Sequence, residues 1–113
     1  MGAELAGRLR QRLRFERRQE IPDGAGGIGN HWTLAAEVWG ELRPEGRGPA
    51  SLLDADSRVS VGRWRILVRN DLPLTLDMRV MWRGLVMRLT GIELDPVLPD
   101  RVVLMAEEIG PRG

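Results

Sequence analysis

The stretch Met78-Arg79-Val80-Met81-Trp82-Arg83-Gly84-Leu85-Val86-Met87-Arg88-Leu89-Thr90 decides the fold. Two alternating runs meet at Arg83-Gly84, a dipeptide suited to a two-residue hairpin turn with Gly84 at a position of positive φ. That turn sets the register: Trp82 faces Leu85, Met81 faces Val86, Val80 faces Met87, and Arg79 faces Arg88. Met78, Val80, Trp82, Leu85, Met87 and Leu89 then share one wholly apolar face. It must be core, because a slip of one residue would turn the whole set outward. The other face carries Arg79, Met81, Val86, Arg88 and Thr90. Arg79 opposite Arg88 is unfavourable unless a carboxylate or another anion lies between them.

The same period of two extends in both directions. In Val59–Arg69, Ser60, Gly62, Trp64, Ile66 and Val68 alternate with Val59, Val61, Arg63, Arg65, Leu67 and Arg69, and Asn70-Asp71-Leu72-Pro73 ends the run. In Arg101–Ile109, Val102, Leu104 and Ala106 alternate with Val103, Met105 and Glu107. Near the N-terminus, Leu9, Gln11, Leu13 and Phe15 alternate with Arg10, Arg12, Arg14 and Glu16. This predicts a strand from about 9 to 19 after a short turn, although Leu5, Leu9 and Leu13 also fit a narrow helical stripe.

Residues 31–44 fit two patterns. Trp32, Ala35, Ala36 and Trp39 would make a helix face, while Trp32, Leu34, Ala36, Val38, Gly40 and Leu42 alternate as in a strand. The glycine-rich turn before them and Gly40 within them favour strand. Ile21–Asn30 reads as turn chemistry with no regular element, and residues 45–57 read as a mobile loop with room for one helical turn from Ser51. The expectation is an all-β chain: one domain over residues 1–113, a small antiparallel barrel or sandwich of about six strands, with at most a short helix.

Composition narrows the function. The 113 residues suffice for one modest core. There is no Cys, which excludes disulfides, thiol catalysis and cysteine-ligated metals. His31 is the single histidine, and Tyr is absent. All seventeen basic residues are Arg, each a permanently charged planar fork. Charge is segregated: six Arg against three Glu in residues 1–20, two Arg against six acids in 21–57, seven Arg against two acids in 58–88, and two Arg against five acids in 89–113. Such blocks suit contact with a surface of opposite sign, including a further copy of the chain. No secretory signal and no apolar run of membrane-spanning length is present, so a soluble intracellular protein is expected.

The local motifs are weak. Gly24-Ala25-Gly26-Gly27-Ile28-Gly29 matches G-x-G-x-x-G, but it lacks the buried strand before it and the helix after it that dinucleotide binding needs. A flexible hairpin loop is the preferred reading. Arg8, Arg10, Arg12 and Arg14, followed by Arg17 and Arg18, could track phosphates, meet an acidic protein or form a solvated strand face. Arg63, Arg65, Arg69, Arg79 and Arg88 leave the same choices open. The four Trp are expected to carry most of the core, except Trp39, which falls on the polar face and is a plausible interface anchor. His31 reads as a turn residue. Glu107-Glu108 and Asp54/Asp56 read as solvated surface. No nucleophile–base pair stands out, so no catalytic, metal or cofactor site is expected.

The order of the pieces carries a resemblance. Gly7-Arg8-Leu9-Arg10-Gln11-Arg12-Leu13, Asp23-Gly24-Ala25-Gly26-Gly27, Val38-Trp39-Gly40-Glu41-Leu42-Arg43-Pro44, Arg63–Arg69 and the 77–89 hairpin follow one another as in the tailed-bacteriophage head-closure family, also called head–tail adaptor, joining or stopper proteins. The resemblance spans nearly the whole chain, and order and spacing carry it rather than any one motif. Gln11 stands where that family often has His, Gly40 where it has Ala, Trp82 for Tyr and Arg83 for the turn Asp. Gly46-Arg47-Gly48 replaces a helix start.

The resemblance implies a β-barrel that forms a homo-oligomeric ring, a hexamer or dodecamer, beneath the portal and adaptor. The ring closes the DNA-filled head and presents the docking surface for tail-terminator or tail-tube proteins. The place implied is a phage virion or gene transfer agent particle, with the bacterial cytoplasm before assembly; packaged double-stranded DNA would fill the lumen, and no cofactor or membrane is involved. Glu45, Gly46, Arg47, Gly48, Pro49, Ala50, Ser51, Leu52, Leu53 and Asp54 are the candidate channel plug. Arg8, Arg10, Arg12, Arg14, Trp39, Arg63, Arg65, Arg69, Arg79 and Arg88 are the candidate interface or DNA-facing residues. The alternatives are a small nucleic-acid-binding barrel and another small tail component such as a tail terminator.

Overall fold

A computed structural model of the chain describes residues 2–22, 24, 27–49 and 60–110. A short helix, α1 (Gly2–Arg8), is followed by six strands: β1 (Gln11–Pro22), β2 (Ile28–Pro49), β3 (Ser60–Arg69), β4 (Met78–Trp82), β5 (Leu85–Leu94) and β6 (Arg101–Gly110). Every pairing is antiparallel, and the order β1-β2-β3-β6-β5-β4 closes into a barrel through β1 and β4. Closure removes the open edges that a six-stranded sheet would otherwise present.

The 78–90 hairpin has the register its alternation dictates, with Arg79 opposite Arg88, Val80 opposite Met87, Met81 opposite Val86 and Trp82 opposite Leu85. Its turn places both central residues at positive φ, 51° for Arg83 and 82° for Gly84, the geometry of a type I′ turn. The barrel interior follows the period of two. Leu13 and Phe15 from β1, Ile66 and Val68 from β3, Met78 and Val80 from β4, Met87 and Leu89 from β5, and Val102, Leu104 and Ala106 from β6 form one buried cluster. Between residues 69 and 78 the chain crosses one end of the barrel, and Leu74 packs on the core there.

Residues 31–43 are strand, as the pattern favoured. Four expectations need correction. The turn expected before β1 is helix α1, whose Leu5, with Leu9 just after it, packs on Leu67 and Val103 of the outer barrel wall. The Leu5–Leu9 stripe is therefore helical, and the alternation takes over only from Gln11. Second, the turn-rich 21–30 segment loses both ends to strand, because β1 and β2 continue past the barrel as a two-stranded ribbon pairing Arg18–Pro22 with Ile28–Trp32. Third, the expected mobile loop 45–57 begins too early. A bulge between Pro44 and Arg47, with Gly46 at φ 92°, lets Arg47, Gly48 and Pro49 pair with Gly62, Val61 and Ser60. Ala50, Ser51, Leu52, Leu53 and Asp54, and the rest to Ser57, lie outside the described residues.

The tryptophans are the fourth correction. Phe15, Leu13, Ile66, Met87, Leu89 and Leu104 fill the core, whereas Trp64 and Trp82 are only half-buried. Those two rings meet edge to face at 5.4 Å. Their indole N–H groups donate to Glu108 Oε2 at 2.9 Å and Gln11 Oε1 at 3.1 Å. Indoles sit where their N–H finds an acceptor, so they gather at the polar end of the interior rather than at its centre. Trp32 joins Trp39 on the surface.

Candidate functional site

The outer wall of the barrel carries the charged residues, and the strands set them side by side. Glu16 lies opposite Arg79, Arg79 opposite Arg88, Arg88 opposite Glu107, and Glu107 opposite Arg63, in a belt across β1, β4, β5, β6 and β3. Glu16 Oε1 accepts from Arg79 at 2.8 Å, and Glu107 Oε1 accepts from Arg88 at 3.4 Å. Both carboxylates are buried. The anions that the Arg79–Arg88 pair requires are thus supplied by this chain's own β1 and β6. Arg79 also lies 4.2 Å from the centre of the Trp32 ring, a cation–π contact that holds the ribbon strand β2 against β4. Glu107 is accordingly not solvated surface, and Glu108 is bound by Trp64.

The N-terminal arginines are partnered within the chain. Arg8 holds Glu41 at 2.9 Å, Arg10 donates to the Gly7 carbonyl at 2.8 Å, and Arg12 reaches Glu37 at 3.3 Å. Arg14 bridges Glu16 at 3.1 Å and Glu37 at 3.8 Å. A phosphate-tracking ladder would leave these guanidiniums on a continuous basic stripe. Here acids from β2 are interleaved with them.

Trp39 stands out from this wall, 53% exposed, directly across from Arg12, whose guanidinium lies 5.1 Å above its ring. Shallow hollows flank it, one lined by Arg10 and Arg69, the other by Glu37 and Asp71. Around the barrel from Trp39, a hollow of about 240 Å³ opens between the end of α1 and the β5–β6 turn, with Leu67 and Val103 in its wall and Arg8, Arg43, Arg65 and Arg101 around it. The β5–β6 turn is tightly built: Asp95 Oδ1 accepts from the backbone N–H groups of Val97 at 2.8 Å and Leu98 at 3.0 Å. These hydrogen bonds, Leu98's first, hold the Asp95 carboxyl below its ordinary value. Arg101 is buried and donates to Asp100 at 2.9 Å and Glu4 at 3.5 Å. The Asp100 contact lowers the pKa of that carboxyl and raises that of Arg101.

The structure therefore distributes the sequence-derived candidates over separate places. Arg10, Arg12, Arg14, Arg69 and Trp39 share one patch. Arg8 and Arg65 border the 240 Å³ hollow. Arg63, Arg79 and Arg88 belong to the belt. Arg43 and Arg101, which the sequence did not single out, border the hollow with Arg8 and Arg65. Their signal was their place in the alternation of β2 and β6. Of the dinucleotide-like glycine run, Ile28 and Gly29 already belong to strand β2 rather than to a helix, and Ala25 and Gly26 lie outside the described residues. Among the described residues no group of three or more His, Asp and Glu is placed to hold a metal ion.

Comparison with known proteins now adds to this geometry. The family model for the phage head completion protein matches residues 5–107. Among solved structures, a chain from the virion of a native gene transfer agent particle superposes with a TM-score of 0.69 at 21% identity, covering 90% of this chain and 96% of that one. A Shigella flexneri 2a protein, solved in solution, superposes with a TM-score of 0.68 at 20% identity over 94% of this chain and 97% of its own. No curated protein sequence matches the chain.

Proposed function

The chain belongs to the phage head completion protein family, a family of structural proteins of the phage head, and from that premise we propose that it is a connector subunit. Copies of the barrel form a ring, a hexamer or dodecamer, beneath the portal and adaptor after DNA has been packaged. The ring closes the head and presents the surface to which the tail terminator or tube docks. The protein is made in the bacterial cytoplasm and ends in the particle, either a phage virion or a gene transfer agent. The similar chain from the gene transfer agent virion supports the second setting.

The observation that carries this proposal is the family match over residues 5–107 together with the character of the wall. A ring needs heterologous, head-to-tail contacts in which two different faces of one subunit meet. The closed barrel offers faces of mixed charge, and Trp39 stands on one of them beside Arg12 and Arg69. Large exposed aromatics flanked by arginine are the side chains that most often anchor protein interfaces. The Glu45–Asp54 segment starts on the β2–β3 ribbon and is our candidate for the channel plug. Arg63 and Arg88 belong to the charged belt, and the lumen holds duplex DNA.

The test is to make particles lacking this protein. Filled heads that lose their DNA and carry no tails are expected; tailed, DNA-retaining particles would refute the connector role. Deleting residues 46–56 with full retention of DNA would rule out the plug. Tight, salt-sensitive binding of single-stranded nucleic acid by the isolated monomer would favour a nucleic-acid-binding barrel instead.

A further inference from the structure

Among the described residues, three arginine pairs stand directly across neighbouring strands: Arg79 with Arg88, Arg69 with Arg101, and Arg43 with Arg65. Like charges so placed destabilise a sheet, and the three pairs differ in how that is relieved. Arg79 and Arg88 each meet a buried carboxylate, Glu16 and Glu107. Arg101 is clamped by Asp100 and Glu4, which leaves Arg69 opposite a neutralised partner.

The Arg43–Arg65 pair is relieved more weakly, by longer contacts to acids that are not buried. Arg43, with 66% of its side chain exposed, comes no closer than 3.6 Å to Glu41 Oε1, an oxygen already taken by Arg8 at 2.9 Å. Arg65 comes no closer than 3.9 Å to Glu93 and otherwise lies against the Met105 sulfur. Both guanidiniums border the hollow of about 240 Å³ beside Leu67, Val103 and Leu98, and its wall adds Arg8 and Arg101. Of the two acids in that wall, Glu41 holds Arg8 most closely, and Asp95 keeps its charge while accepting from the amides of Val97 and Leu98. The lining of the hollow thus holds four arginines against two carboxylates, next to an apolar wall.

We propose that the Arg43–Arg65 pair is a docking subsite for the carboxylate of an acidic side chain carried by a neighbouring protein, with an apolar residue beside that acid entering the hollow. A carboxylate matches the two guanidinium forks and removes the repulsion between them. Duplex DNA fits less well. A phosphate backbone offers nothing to the leucines and valine of the wall. The proposal rests on the phage-head assignment for its particle readout, but not on the ring.

The test compares Arg43→Glu with Arg18→Glu, a change at an exposed arginine on the β1–β2 ribbon. Arg43→Glu puts an acid opposite Arg65 within the chain, so the purified barrel should melt at the same temperature or higher. Its incorporation into particles should fall by about tenfold or more, the size expected when one charged contact is lost and reversed. Arg18→Glu should incorporate normally. A change of an acidic residue to Arg in a neighbouring virion protein should restore the Arg43→Glu particles. Normal incorporation of folded Arg43→Glu protein overturns the proposal, as does an equal loss in Arg18→Glu. If Arg43→Glu lowers the melting temperature, Arg65→Gln takes its place, with the same loss expected and normal incorporation again contradicting the subsite. Duplex-DNA binding by the purified protein that Arg43→Glu weakens and Arg18→Glu does not would assign the pair to phosphate and overturn the proposal. A loss of incorporation in particles that show no ring would leave the subsite standing and refute the ring alone.

Discussion

Arg79 and Arg88 face each other across the β4–β5 hairpin, and each turns to a buried carboxylate on the strand at its other side, Glu16 for Arg79 and Glu107 for Arg88. The pair is thus the middle of a four-residue row with a carboxylate at each end rather than an uncompensated contact. Glu16→Gln should expose its cost. The variant keeps a neutral acceptor for Arg79 but removes its counter-charge, while the guanidinium stays largely shielded. Breaking a buried pair from one side costs about 3–5 kcal/mol, and the retained amide oxygen puts this variant at the lower end of that range. Urea denaturation should show that loss in midpoint at an unchanged slope, and a loss under ~0.5 kcal/mol would mean the belt adds nothing to stability.

Two glycines of the interior should respond differently to the same change. A Cβ at Gly40 would lie 2.5 Å from Leu13 Cδ1 and 3.1 Å from the Leu67 backbone carbonyl, at the wall of a filled core. At Gly62 the obstacle is the Glu108 carboxylate at 2.5 Å, the end of a flexible side chain. Gly40→Ala should cost about 1–3 kcal/mol through overpacking. Gly62→Ala should cost less, about 1 kcal/mol, chiefly through the loss of the Trp64–Glu108 hydrogen bond. Thermal melts of the two variants decide the order, and Gly62→Ala being the worse would contradict this account of the interior.

The β4–β5 turn carries a residue poorly suited to its backbone. Arg83 sits at φ 51°, a region that Asn enters more readily than Arg. Arg83→Asn should stabilise the protein by about 0.5 kcal/mol, less whatever the exposed Arg83–Trp82 contact provides. Gly84→Val should destabilise by about 1–2 kcal/mol, since φ 82° there is strained for a β-branched side chain. A rise in melting temperature for the first and a fall for the second are the expected results.

Acid should loosen the β5–β6 turn. The Asp95 and Asp100 carboxyls both lie below their ordinary value of 3.8 in the folded chain. The unfolded chain then binds more protons in that range, so stability rises with pH there. The contribution is present above about pH 4 and is lost as pH falls through the lower folded values. Asp95→Asn keeps a side-chain oxygen for the Val97 and Leu98 amides but removes the titration. Melting temperatures from pH 2 to 6 should therefore fall less steeply in the variant, and parallel curves would show that Asp95 does not contribute.

The legible parts of this fold were those in which one face is buried and one is not. The 78–90 hairpin, β3 and β6 alternate cleanly because each has an apolar inner face and an arginine or acidic outer face, and a period of two fixes their register. Helix α1 was missed because one leucine per turn is a weak stripe; the helix holds by packing Leu5 and Leu9 on Leu67 and Val103, a long-range contact that no local pattern reports. The extension of β2 through Gly46-Arg47-Gly48-Pro49 was missed because Gly and Pro read as loop, while pairing with β3 and a bulge at positive φ make them strand. Trp39 on the polar face was visible in the alternation. The carboxylate partners of the arginines were not, since Glu16 and Arg79 are 63 residues apart and meet only when the barrel closes.

The central claim is that these barrels assemble into a ring where head meets tail. The most direct measurement is an electron cryomicroscopy reconstruction of the portal vertex in intact, DNA-filled particles. The account predicts a closed circle of copies of this chain between portal and tail, with the Trp39 wall of each barrel covered by a neighbour. A vertex with no such density, or single copies placed elsewhere on the capsid with Trp39 in solvent, would contradict it.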